Sequence, residues 1–190
     1  MNKKWNQFYN KHGRFYIQPH PLAERIANRF KTYKVRNVLD MGSGTGRHLV
    51  YFAGEGFNLT GIDFSPSAVE LAKKWLAQKS LSAEVNIADI HEHINGAVDA
   101  SYDAVIAVNS LQYSSDKQFD TVITEVNRIL KEGGLFWLVV PSKETKIDDI
   151  NKGQVFYSEE QLKGKLSKTF RILEFARDKN KSFSILAQEK

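Results

Sequence analysis

The stretch from Val38 to Asp63 constrains the fold more than any other part of the chain. A short apolar run, Val38-Leu39-Asp40-Met41, leads into Gly42-Ser43-Gly44-Thr45-Gly46, then a helical pattern, then Leu59-Thr60-Gly61-Ile62 ending on Asp63. Strand, glycine-rich turn, helix and a second strand closed by a carboxylate form the opening half of a mononucleotide-binding α/β unit. Without side chains at 42, 44 and 46, the backbone can turn tightly and let a ligand touch the main chain. Asp63 stands 21 residues past Gly42, at the tip of the second strand, where a carboxylate can accept both hydroxyls of a ribose. The expected ligand is an adenosine-type nucleoside.

Glycine spacing narrows the choice of nucleoside. A dinucleotide fingerprint requires G-x-G-x-x-G, so that the helix packs close to the strand with a pyrophosphate on its N-terminus. Here the glycines read G-x-G-x-G, and Arg47 occupies the third dinucleotide position. Asp40, Asp63 and Asp89 mark three successive strand ends; carboxylates around a cleft repel a pyrophosphate but suit a ligand bearing a sulfonium and an ammonium. The D-x-G-x-G-x-G segment followed by Gly61-Ile62-Asp63-Phe64-Ser65 resembles the class I S-adenosylmethionine-dependent methyltransferases. Ile129-Leu130-Lys131-Glu132-Gly133-Gly134 is similar to the L-K-x-G-G turn of that class, a second and independent match. The resemblance covers almost the whole chain, and within the class it is nearest to the compact tellurite-resistance and thiopurine types. It implies an α/β fold, a Rossmann-like doubly wound sheet of seven strands with the last antiparallel and helices on both faces, with S-adenosyl-L-methionine as cofactor and S-adenosyl-L-homocysteine as product.

Patterning along the chain agrees with that plan. Residues 1–34 read as an N-terminal cap or lid, rich in Trp5, Phe8, Tyr9, Phe15 and Tyr16, with a turn at His12-Gly13 and a helix from Pro21 to Tyr33 that turns Leu22, Ile26 and Phe30 inward. Residues 35–190 read as the core. Its strands are expected at Arg36–Met41, Leu59–Ile62, Ala83–Ile87, Tyr102–Val108 and Leu135–Val140, and a closing hairpin pairs Phe170–Arg177 with Ser182–Gln188. Helices are expected over Gly46–Glu55, from a Ser65-Pro66 cap, from an Asp116 cap to a stop at Gly133-Gly134, and from a Ser158 capping box. Residues 142–156 read as a surface loop bordering the acceptor pocket.

The totals bound the rest. A chain of 190 residues with 42% hydrophobic residues suits one domain, 1–190. No apolar run is long enough to span a membrane and no basic-then-apolar leader is evident, and the zero cysteines exclude disulfides and a thiolate nucleophile. These features suggest a cytoplasmic protein without membrane association; the oligomeric state is not encoded in any recognisable pattern. The net charge of +5 is spread along the chain, so nucleic acid is a possible but not favoured partner. His91 and His93 lack a third ligand at metal-binding spacing, and no metal is expected.

The resemblance assigns the site residues. Asp40 and the backbone from Gly42 through Ser43 and Gly44 to Gly46 take the methionine portion, Asp63 the ribose, Phe64 a face of the adenine, Asp89 and Ile90 its polar edge. Asn109 offers its carbonyl to the methionine ammonium. No catalytic base declares itself; Tyr16, His20 and Tyr113 are the polar aromatics expected to border the acceptor. Methylation of a nucleic-acid base at an exocyclic amine typically uses Asn or Asp, two prolines and an aromatic after the fourth strand. Here Asn109-Ser110-Leu111-Gln112-Tyr113 lacks both prolines. The expected activity is in-line methyl transfer to a small-molecule acceptor, with a nucleic-acid or protein methyltransferase and a non-catalytic cofactor-binding regulator as the alternatives.

Overall fold

Strands of this chain are apolar almost end to end because helices cover both faces of the sheet they build. The computed structural model describes residues 2–145 and 153–190. Its N-terminal half runs α1 (Asn2–His12), α2 (Ala23–Thr32), β1 (Asn37–Met41), α3 (Arg47–Gly54), β2 (Asn58–Asp63), α4 (Pro66–Gln78), β3 (Glu84–Ile87) and α5 (Ile90–Gly96). The remainder runs β4 (Tyr102–Val108), a 3-10 turn (Leu111–Tyr113), α6 (Asp116–Ile129), β5 (Leu130–Val140), α7 (Glu159–Leu166), β6 (Phe170–Arg177) and β7 (Phe183–Glu189).

The seven strands form one sheet in the order β3-β2-β1-β4-β5-β7-β6. Neighbours from β3 to β5 are parallel, with Asp40 of β1 in register with Gly61 of β2 and Ile106 of β4. β7 enters antiparallel between β5 and β6, which is the expected seven-stranded doubly wound sheet. Chain order reverses between β1 and β4, and ligands of such sheets bind beyond the C-terminal strand ends at that point.

Alternate residues of each strand supply two cores. Val38, Ile106, Trp137 and Val139 pack with Ile26, Phe30, Phe52 and Ala72 of α2, α3 and α4. Leu39, Val105, Phe136 and Leu138 pack with Phe119, Val122 and Val126 of α6 and with Leu162 and Leu166 of α7. Among the described residues, no helix is long and apolar enough to cross a membrane.

Local differences from the sequence reading have local causes. Ser115, not Asp116, caps α6: its Oγ accepts from the Gln118 N–H at 3.3 Å while Gln118 Oε1 accepts from the Ser115 N–H at 2.9 Å. Asp116 is the first helical residue and pairs with Lys165 at 2.9 Å. α6 runs directly into β5 at Leu130, so Gly133 and Gly134 do not stop the helix. They serve a bulge, where pairing with β4 slips between Tyr102↔Leu130 and Ala104↔Leu135 and Gly133 takes φ +70°. α2 begins at Ala23, after Pro21 and without a side-chain cap. Of the 142–156 loop, residues 146–152 lie outside the described residues.

Candidate active site

The site begins with the turn after β1. Gly42 and Ser43 both donate their N–H to the Ile62 carbonyl at 2.9 Å, folding the turn back against β2. Gly42 holds φ +72°, and a Cβ there would lie 2.5 Å from Ser110 Cβ, so only glycine fits. The Asp63 carboxylate closes the turn: Oδ2 accepts from the Gly44 N–H and Oδ1 from the Ser65 N–H, each at 2.9 Å. Burial raises the pKa of Asp63, and these two N–H groups oppose the rise.

Ser65 then caps α4 and also fastens α1. Its hydroxyl donates to Asn6 Oδ1 at 2.8 Å, the same oxygen accepts from the Ser67 N–H at 3.2 Å, and Ser67 Oγ donates to Asn10 Oδ1 at 2.7 Å. These bonds lay Trp5 and Tyr9 over the glycine turn, and the Tyr9 hydroxyl lies 3.1 Å from where a Gly44 Cβ would be. Burial and the nearby Asp63 raise the Tyr9 pKa, so the phenol is a hydrogen-bond donor at neutral pH.

Beneath this roof, a cavity of about 360 Å³ sits above the C-terminal ends of the central strands. Gly42, Ser43, Gly44, Asp63, Phe64, Ile90 and Asn109 all border it, as do Tyr16 and Tyr113. Asn109 is exposed and holds φ +56°. Three residues expected to bind cofactor do not reach the wall. Gly46 opens α3 at φ +90° and accommodates Ala72, which a Cβ would meet at 2.9 Å. Asp89 caps α5, its Oδ1 accepting from the His91 N–H at 2.8 Å. Asp40 lies behind the turn, 1% exposed, with Oδ2 bonded to nothing.

Electrostatics of the wall centre on Asp40 and Arg47. Burial raises the Asp40 pKa to about 7, with Arg47 opposing and Asp63 adding to the rise. Arg47 forms no salt bridge among the described residues; Nη1 donates to the Gln18 carbonyl at 3.4 Å, and the guanidinium lies 5.7 Å from the centre of the Tyr16 ring. Burial lowers its pKa while Asp40 opposes.

His20 is off the wall, and both ring nitrogens are engaged. Nδ1 accepts from the Leu22 N–H at 3.2 Å, so the proton resides on Nε2, which donates to Asp178 Oδ2 at 3.1 Å. The His20 N–H in turn donates to Nε2 of His48 at 3.1 Å. His48 borders the cavity, and burial pushes its pKa well down, followed by repulsion from Arg47. Asp178 Oδ1 accepts from the N–H groups of Asn180 and Ser182 at 2.8 Å each, holding the β6–β7 turn where both residues border the cavity. No group of three or more His, Cys, Asp or Glu among the described residues could hold a metal ion.

Sequence reasoning placed Tyr9 in the lid without giving it a role of its own, and passed over His48, Gln112, Gln154, Asn180 and Ser182 on the wall. A usable signal existed for α1: Trp5, Phe8, Tyr9 and His12 stand at i, i+3, i+4 and i+7, one face of a helix.

Residues 38–134 match a family model described as a methyltransferase domain. The O-methyltransferase rstn1 of Aspergillus nomiae is 29% identical over 113 residues, 59% of this chain and 49% of that protein. The arsenite methyltransferase of Mus musculus is 34% identical over 134 residues, 64% of this chain and 35% of that protein. The chain thus spans half or less of the length of these curated relatives. Among solved structures, an S-adenosylmethionine-dependent methyltransferase from Clostridium acetobutylicum superposes with a TM-score of 0.76 at 17% identity, over 98% of both chains. Family match, sheet topology and glycine turn agree, and the chain belongs to the class I S-adenosylmethionine-dependent methyltransferases.

Proposed function

We propose that this chain transfers a methyl group from S-adenosylmethionine to a small-molecule acceptor. The observation that carries this reading is the roofed cavity: Trp5 and Tyr9 of α1 close over the glycine turn, leaving about 360 Å³, near the lower end of the roughly 300–1,000 Å³ range of small-ligand pockets. In this reading residues 1–34 act as the cap of a single 1–190 domain.

The residues fit the cofactor. Asp40 Oδ2, Ser43 Oγ and Ser110 Oγ are buried polar atoms without partners around the turn, and Arg47 has no carboxylate partner among the described residues. A ligand carrying an ammonium, a carboxylate and hydroxyls supplies what they lack. Asp63 takes the ribose hydroxyls with the lone pairs left by Gly44 and Ser65, Phe64 and Ile90 flank the adenine, and Asn109 offers a carbonyl to the ammonium, while Asp89 supports Ile90 from behind the wall as the cap of α5. When bound, S-adenosylmethionine supplies a methyl carbon activated by the adjoining sulfonium, which bonds to an acceptor lone pair as the carbon–sulfur pair returns to sulfur. The protein's contribution is alignment and exclusion of water. His20 and His48 are poor bases, since the free acceptor nitrogen of each is taken by a backbone N–H.

The arsenite and O-methyl acceptors of the relatives separate on chemistry. Soft, thiophilic arsenic calls for thiolates, and this chain has no cysteine, so an acceptor with an oxygen or nitrogen nucleophile is favoured. Titration calorimetry with S-adenosylmethionine, S-adenosylhomocysteine and NAD in parallel tests the cofactor. Binding of the first two alone is expected, and binding of NAD alone would overturn the reading. Release of S-adenosylhomocysteine across an acceptor panel then tests catalysis.

A further inference from the structure

We propose that Gln112 reads the acceptor, and that the acceptor is an uncharged, flat nitrogen heterocycle presenting an amide edge, an N–H beside a C=O. This deepens, and rests on, the methyl-transfer reading. Gln112 sits in the 3-10 turn that follows β4, borders the cavity and is 2% exposed. Its own carbonyl accepts from the Val155 N–H at 2.7 Å, which fixes its backbone. Its side-chain Oε1 is buried with no hydrogen-bond partner. The unpartnered atoms of Asp40, Ser43 and Ser110 belong to the glycine turn and its neighbour, and the cofactor accounts for them. Gln112 belongs to the neighbouring wall formed with Tyr113 and Gln154, and the cofactor reading leaves it without a role.

A buried amide oxygen calls for a donor. A carboxamide carries that acceptor and an NH₂ donor in one plane, and the group that satisfies both together is another amide edge, as when Gln pairs with the edge of a base. The neighbouring surfaces suit a flat ring: Trp5 and Tyr113 both border the cavity, in edge-to-face contact at 6.1 Å, and Gln154 Nε2 donates to the Tyr113 hydroxyl at 3.3 Å. Charge argues for a neutral acceptor. Among the described residues the charged groups on the wall are Arg47 and Asp63, and both belong to the cofactor end. A charged acceptor at Gln112 would be desolvated with no counter-ion beside it among the described residues of the wall. The methyl bonds to the lone pair of a ring atom turned toward the sulfonium, not to the N–H that Gln112 Oε1 holds, and any proton that atom carries passes to water, since the Nε2 of His48 is occupied.

The test is calorimetric, on protein saturated with S-adenosylhomocysteine. Uracil and isocarbostyril are the lactam probes; N-methylisocarbostyril, which lacks the donor, benzoate and phenethylamine are the controls. At least one lactam is expected to bind roughly tenfold or more tightly than every control. Gln112→Leu is expected to abolish that preference while S-adenosylhomocysteine affinity stays unchanged, and Gln112→Glu, which keeps the volume and an acceptor but loses the donor, covers the case in which Leu fails to fold. Charged probes binding as well as lactams, no lactam binding to the saturated protein, or undiminished preference in the variants would overturn the assignment. Failure of S-adenosylhomocysteine itself to bind would instead refute the methyl-transfer reading, and this one with it.

Discussion

The carboxylate of Asp63 and the main-chain N–H of Gly44 are hydrogen-bonded at 2.9 Å, so one side chain both shapes the glycine turn and borders the cavity. Asp63→Ala is therefore expected to weaken S-adenosylhomocysteine binding by about 1–3 kcal/mol, the usual range for a lost bond to a charged acceptor. It should also lower the melting temperature of the free protein, because the Gly44 and Ser65 N–H groups lose their partner. Unchanged affinity by calorimetry would place the ribose elsewhere.

Asp40 makes the free protein sensitive to neutral pH. Its pKa is raised from the ordinary carboxylate value to about 7, so the native state holds a proton that the unfolded chain releases. Its stabilising contribution is complete below about pH 4 and is lost as pH rises through about 7. Urea unfolding at pH 5 and pH 8 should show this decline, and Asp40→Asn should flatten it, gaining on the order of a few kcal/mol over the parent at pH 8. If ionised Asp40 helps hold the cofactor's ammonium, affinity for S-adenosylhomocysteine rises over the same interval in the parent and not in the variant.

His20 and His48 act at the other end of the pH scale. Burial lowers both pKa values, so both rings are neutral in the folded state while the unfolded chain titrates near the ordinary histidine value. Their contribution is present above about pH 6.5 and is lost as pH falls below it. Protonating either ring removes the acceptor nitrogen that takes a backbone N–H. Asp178→Ala should cost about 2–4 kcal/mol, since it strips partners from His20 Nε2–H and from two main-chain N–H groups. Thermal unfolding of the variant against the parent at pH 7.5 checks the figure, and a loss below about 1 kcal/mol would show that solvent replaces the carboxylate.

The glycines of the turn should not tolerate substitution equally. An added Cβ at Gly42 collides with the Ser110 side chain at its root, whereas at Gly44 it meets the tip of the Tyr9 ring, which can swing away. Gly42→Ala should destabilise by about 2–3 kcal/mol and Gly44→Ala by about 1 kcal/mol, mostly from its positive φ. The reverse order in thermal unfolding would place the crowding at Tyr9.

What could be read from the sequence was local. Gly42, Gly44 and Asp63 announce themselves because a turn conformation and a strand end are set by residues that adjoin in the chain. The strands were legible because burial on both faces leaves little room for polar residues. Other features depend on distant partners. His20 looked like a candidate at the acceptor pocket because nothing near it shows that Asp178, 158 positions away, has claimed its ring. Asn6 gives no hint of Ser65, 59 positions on. The Gly133-Gly134 pair misled for a different reason: glycine serves a helix stop and a bulge equally well, and only pairing with β4 decides between them.

The bonds of Asn6 and Asn10 to Ser65 and Ser67 join the first helix of the chain to the start of α4. Tyr9 stands over Gly44 on the helix those bonds hold down, so they set how the roof lies over the turn. Four small side chains that line no part of the cavity thereby fix the ceiling above it.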